Sequence, residues 1–218
     1  MSREESDLVT EDIKRQMRAD ARRNEQQLLF AARDLFIERG AQVPLEDIAG
    51  AARVGIATLY RRFGDRRGLA RAVALAALEQ THAAARSARD SHEDPLAALA
   101  AYMHAVLDLR TSAVMPELLD QLAEDDPQRL EISAAINSII EELINDARRE
   151  GLIRDELRFA DIGLLLVRLS RPLIGLKAEL QLPYAHRHLD LVLAGMRPAE
   201  PALSGPRLSL QELREARG

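Results

Sequence analysis

Apolar residues recur along this chain at spacings of three and four, the period of an α-helix. The first clear stripe is Leu28, Leu29, Ala32, Leu35 and Phe36, within a helix expected over Asp20 to Arg39. Gly40 supplies its stop, because glycine takes the left-handed C′ conformation cheaply. The polar residues 1–17 before it are expected to be frayed or weakly helical. Two short helices follow, about Leu45–Ala52 and Ile56–Arg62. Asp65 is placed to cap a longer helix that runs toward Asp90. Asp94-Pro95 and Asp126-Pro127 repeat one start signal, Asp as N-cap and Pro at N1. Their helices reach about Arg110 and Glu150, and a shorter one starts near Met115-Pro116. The stripe Ile132, Ala135, Ile136, Ile139, Ile140, Leu143 and Ala147 ends at Gly151. An apolar helix is expected from about Phe159 to Glu179, kinked or split by Pro172, and a last helix over Tyr184 to Met196. The tail from Pro198 is rich in Pro and Gly, and Ser209-Leu-Gln-Glu212 has capping-box spacing. No strand pair or repeat is visible.

Composition agrees. Ala and Leu make up nearly a third of the 218 residues, and both favour helices. There is no cysteine, which excludes disulfides, Cys-ligated zinc and thiol catalysis. The charged N-terminus lacks the apolar core of a signal peptide. The most apolar run, Ile162 to Leu176, contains Arg168 and Arg171 and is too short to span a bilayer. A cytoplasmic protein without a membrane partner is expected.

Charge changes the picture. The net −5 argues against nucleic acid until its distribution is read. Between Arg18 and Arg71 there are 11 Arg and 7 acidic residues, a local +4, whereas residues 72–218 carry −7. Such asymmetry points to nucleic acid at one end.

Three helices in about 45 residues, the last two short and close together, form a helix-turn-helix unit. Ile48, Val54, Leu59 and Phe63 are spaced to share a small core with Leu35 and Phe36. That leaves Ile56, Ala57, Thr58, Tyr60, Arg61 and Arg62 for outer faces. A recognition helix needs small or hydrogen-bonding residues where base edges are met and donors along its flanks for phosphate. Thr58 and Tyr60 bring hydroxyls, and Arg61, Arg66 and Arg67 bring charge. Arg22 and Arg23 suit phosphate or a solvated face equally.

Residues 20–75 resemble the TetR/AcrR family of bacterial transcriptional regulators. The resemblance rests on Ile48-Ala49, Ala57-Thr58-Leu59-Tyr60, Phe63, Arg66 and the Phe36-to-Gly40 ending of the first helix. It implies an all-α protein: a three-helix DNA-binding domain over 19–65, preceded by an arm over 1–18. A larger helical effector-binding and dimerisation domain would cover 66–197, with a tail over 198–218. By position, Thr58, Tyr60 and Arg66 would hold phosphates, and Ile56 and Ala57 would face bases beside Arg61. Two positions depart from the pattern. Pro44 replaces a capping Thr or Ser. Arg53 stands where Gly makes the turn, so either the turn differs or Arg53 adds a DNA contact.

The resemblance also implies a repressor that binds a palindromic double-stranded operator as a homodimer and is released by a small molecule. The expected dimer face comprises Leu165, Leu166, Leu169 and Leu173, with Leu189, Val192, Leu193 and Met196. Pocket candidates are Tyr102, Met103, His104 and Leu107, with Met115, Leu118, Leu119 and Leu122, and Ile136 and Ile140. Most are apolar and suit a hydrophobic effector, though Met and Leu at helical spacing also read as plain core. No cofactor, metal or catalytic residue is expected. His186 and His188 diverge by ~200° on a helix and cannot share a metal, and no Ser-His-Asp set or phosphate loop is present. A helical protein-interaction module is the competing reading, disfavoured by the +4 segment and Thr58-Leu59-Tyr60.

Overall fold

The structure, a computed structural model, describes residues 3–199, 203–205 and 212. These residues hold the helices α1 (Arg3–Arg39), α2 (Leu45–Ala51), α3 (Ile56–Phe63), α4 (Arg66–Ser91), α5 (Pro95–Leu109), α6 (Met115–Leu119), α7 (Pro127–Arg149), α8 (Phe159–Ser170) and α9 (Ala178–Gly195). A 3-10 turn, Thr111–Ala113, precedes α6. No strand occurs among the described residues. The capping spacing at Ser209 lies outside them, as does most of the expected tail.

Most boundaries follow the sequence signals. Asp94 Oδ1 accepts from the backbone N–H groups of Leu96 (2.8 Å) and Ala97 (3.3 Å), and Asp126 Oδ1 from that of Arg129 (3.1 Å). Asp65 Oδ1 accepts from Gly68 N (2.8 Å) at the start of α4. Gly40, at φ 82°, ends α1.

Three boundaries differ from expectation. Helix α1 starts at Arg3, not Asp20. Residues 3–19 contain no Gly or Pro, and their acidic residues cluster at the N-terminal end, where the helix dipole favours them. The single helix expected over Phe159 to Glu179 is two. Helix α8 stops at Ser170, and Arg171, forced out of the helical region by Pro172, is extended at φ −73°, ψ 128°. Helix α9 begins at Ala178, not Tyr184, and carries Pro183 in its second turn.

The chain divides into two compact units, Met1–Val73 and Ala74–Gly218. The division therefore falls inside α4, later than the expected boundary after residue 65. In the N-terminal unit α1 packs on α2 and α2 on α3. Leu28, Phe36, Ile48, Leu59 and Leu69 are fully buried, while Leu35, Val54 and Phe63 are partly so. In the C-terminal unit α5 lies against α7, α8 and α9, and its core includes Leu99, Met103, Leu107, Ile140 and Leu189.

Candidate nucleic-acid interface

The turn between α2 and α3 aims the second short helix. Val54 N donates to Ala49 O (3.0 Å) and Arg53 N to Gly50 O (3.0 Å), the paired bonds of a Schellman motif with Arg53 at C′. Arg53 accordingly has φ 56°. The turn is thus the left-handed one expected of a glycine, built with an arginine. A non-Gly residue there costs ~1–2 kcal/mol.

Helix α3 shows one inward direction and one outward. Leu59 is fully buried, and Tyr60 is 47% exposed. Ala57 and Arg61 are exposed with Tyr60, and Ile56 and Thr58 are partly covered. Two ion pairs fix the helices: Arg39 to Asp47 (3.0 Å) joins α1 to α2, and Arg62 to Glu25 joins α3 to α1. Arg62 is therefore engaged within the fold, whereas Arg53, Arg61 and Arg67 are exposed and form no ion pair with a described residue. Pro44 provides no side-chain cap for α2.

Arg66 is placed differently from the free phosphate ligand the sequence suggested. Its Nη1 donates to the carbonyls of Ala41 (3.0 Å) and Val43 (2.7 Å), so it braces the loop between α1 and α2. Nearby, Gly68 lies so close to Phe63 that a Cβ would meet the Phe63 carbonyl oxygen at 1.9 Å. Only glycine permits that approach.

The C-terminal unit contains a cavity of about 250 Å³. Of the residues expected there, Tyr102, Met115, Leu119 and Ile136 line it. Met103, Leu107, Leu118 and Ile140 do not; they are fully buried core. Leu122 is also buried away from the cavity. The reason is helical phase: on α5 the cavity face is Tyr102 and Val106, and residues one step along point ~100° away. His104 is directed elsewhere too. Its Nδ1 meets His186 Nδ1 at 2.7 Å, while Asp190 lies 3.2 Å from His104 Nε2 and Asp108 2.9 Å from His186 Nε2. This four-residue chain joins α5 to α9. Among the described residues no group of three or more His, Asp or Glu forms a metal site.

Sequence reasoning missed the cavity's polar residues: Thr81, Thr111, Ser112, Arg129, Ser133 and Asn137. On α7 the signal was available, since Arg129, Ser133 and Asn137 repeat every four residues beside the apolar stripe. Burial raises the pKa of the Tyr102 hydroxyl, so it stays a neutral donor.

The expected dimer face also needs correction. Leu166, Leu189 and Met196 are buried within the chain and cannot meet a partner. Leu165, Leu169, Val192 and Leu193 are partly covered by the chain's own core. Leu173 is exposed, as are Ile174, Leu180, Tyr184 and Leu191.

An α3 with one buried and one exposed face, following a left-handed turn, braced by α1 and α2 and carrying the exposed Arg61, is the arrangement of a helix-turn-helix DNA-binding protein. The residues from 28 to 73 match the family description "Bacterial regulatory proteins, tetR family", and residues 94–198 match "Transcriptional regulator SbtR-like, C-terminal domain". The chain belongs to the tetR family and is a DNA-binding transcriptional regulator.

Solved structures agree. A TetR regulator from Mycobacterium vanbaalenii is 29% identical, with 84% of this chain and 99% of that one covered at a TM-score of 0.55. One from Streptomyces coelicolor is 28% identical, covering 80% and 99% at 0.57. The fold is shared by LfrR from Mycobacterium smegmatis, solved in complex with proflavine, at 22% identity, 82% and 99% coverage and 0.57. No curated protein gives a comparable match. Among the described residues no helix is long and apolar enough to cross a membrane.

Proposed function

We propose that this regulator is a repressor that binds a palindromic operator as a homodimer and leaves it when a small molecule enters the C-terminal unit. The observation that carries the DNA-binding assignment is the outward face of α3, where Ala57, Tyr60 and Arg61 are exposed beside a buried Leu59. Ala57 and Ile56 meet base edges. Thr58 and Tyr60 donate hydroxyls to phosphate, with Arg53 and Arg61 flanking. Arg66 serves the interface mainly by holding the loop ahead of α2, with its remaining donors directed to phosphate.

The dimer forms through the apolar residues left exposed on and before α9. Leu180, Tyr184 and Leu191 follow helical spacing, and Leu173 and Ile174 precede them. Two-fold pairing sets two α3 helices on two half-sites. The effector occupies the cavity bounded by α4, α5, α7 and α8. Leu78 and Thr81 of α4 line that cavity, and the same helix begins at Arg66, so α4 is the element through which an effector acts on DNA binding. Release requires that the effector bind the two states with different affinity.

A mobility-shift assay on the DNA upstream of the protein's own gene tests this reading. Binding is expected there at nanomolar protein, one dimer per site, and is lost in Tyr60→Ala. Equal binding to unrelated DNA would reject a specific operator.

A further inference from the structure

The cavity's polar groups define the kind of molecule it takes, and this inference rests on the effector reading above. Tyr102 is 5% exposed and Thr111 1% exposed. Both line the cavity, and neither side-chain oxygen has a hydrogen-bond partner among the described residues. Both oxygens are therefore free to bond a molecule held in the cavity. On α7, Arg129, Ser133 and Asn137 stand at i, i+4 and i+8 on the cavity wall. The guanidinium of Arg129 makes a single bond, from Nη1 to Ala123 O at 3.2 Å, and forms no ion pair with a described residue.

No Asp or Glu lines the cavity. The remaining wall is apolar, with Leu78, Val106, Leu119, Phe159 and Leu164 among its residues. One cation without an ion pair among the described residues, no lining anion, several neutral donors and an apolar wall constitute a site for an amphiphile with a single negative head. The volume lies between the ~150 Å³ that admits a benzene-sized guest and the ~300 Å³ of small drug sites. We infer that the cavity binds a small amphiphilic carboxylate, with Arg129 gripping the carboxylate, Tyr102 and Thr111 donating to its polar end, and the hydrocarbon lying against the apolar wall. A cationic ligand would meet Arg129 uncompensated, and a neutral one would leave the guanidinium unused.

The test compares octanoate, octanol and octylamine, which share a tail and differ in head, by calorimetric titration into the full-length protein. Wild type is expected to bind octanoate about tenfold or more tightly than octanol, the worth of a charge-assisted pair, and octylamine weakest. In Arg129→Gln that preference disappears while octanol affinity is kept. In Tyr102→Phe both the acid and the alcohol weaken. Circular dichroism on each variant checks that it is folded. Octanol binding as well as octanoate, or octanoate binding unchanged in Arg129→Gln, would overturn the carboxylate assignment and leave the effector cavity standing. Octanoate binding that depends on Arg129 but leaves the operator complex intact would keep the ligand class and reject the effector role. Failure of all three to bind would overturn both.

Discussion

Arg53 and Leu59 show how single positions set the reading head. Arg53 occupies a left-handed turn at φ 56°, a conformation in which glycine carries no Cβ penalty. Arg53→Gly is therefore expected to raise stability by about 1 kcal/mol, measured as an upward shift in the denaturation midpoint. The same substitution lowers operator affinity if the side chain meets DNA, so a stabilised protein with undiminished affinity would remove Arg53 from the interface. The neighbours Leu59 and Tyr60 separate packing from contact. Leu59→Ala leaves a cavity in the core and is expected to cost ~2–5 kcal/mol of stability. Tyr60→Ala acts at an exposed site, and its stability change stays within about 0.5 kcal/mol while operator binding falls. The opposite pattern would exchange their roles. This inward–outward division was legible in the sequence because short helices with one apolar direction leave little choice. The brace made by Arg66 was not legible: its acceptors are the carbonyls of Ala41 and Val43, and no side-chain pattern marks a backbone acceptor.

Helix boundaries followed their chemical signals where those signals were local. Asp94-Pro95 and Asp126-Pro127 began helices as expected, because cap and proline act within one turn. The interval around Pro172 depended on a longer-range device. The Gln181 side chain accepts from Leu173 N (2.8 Å) and donates to Leu173 O (2.9 Å) and Leu176 O (2.8 Å). It thereby supplies three bonds to a link that has left the helix, and nothing in the local sequence announces that role. Gln181→Leu is expected to speed amide exchange at Leu173 by about tenfold, with the α5–α7 core unchanged. Unaltered exchange at Leu173 would show that the link holds without the brace. The His104–His186 contact is of the same kind, joining residues far apart in sequence. An Nδ1-to-Nδ1 bond needs one ring to donate and the other to accept. A double-mutant cycle to Phe at the two positions should give a coupling of ~0.5–1.5 kcal/mol. No coupling would make the pair incidental.

At the scale of the whole molecule, the charge segregation seen in the sequence retains its meaning. The basic segment Arg18 to Arg71 lies in the unit that holds the helix-turn-helix, and most of the acidic excess lies in the other unit. The two-unit organisation was readable from motif and periodicity, but the division within α4 was not, since a continuous helix carries no break in pattern. Surface assignment was the least legible feature. Apolar residues on α8 and α9 announced burial without saying whether the chain or a partner provides it. Leu189 proved to be core and Leu191, 66% exposed, to be surface. On the proposed dimer, Leu191→Glu combined with Tyr184→Glu is expected to give a folded monomer by sedimentation analysis. A double variant that sediments as wild type would place the dimer elsewhere.

On the proposed reading the exposed face of α3 meets DNA through phosphate contacts and base edges, and the salt dependence of operator affinity tests this most directly. Titrations of wild type, Tyr60→Ala and Arg61→Ala across a series of salt concentrations give log affinity against log salt. Wild type is expected to give a steep slope, Arg61→Ala a slope shallower by about one phosphate contact per monomer, and Tyr60→Ala weaker binding with its fold intact. A flat wild-type slope, or both variants superimposing on wild type, would contradict it.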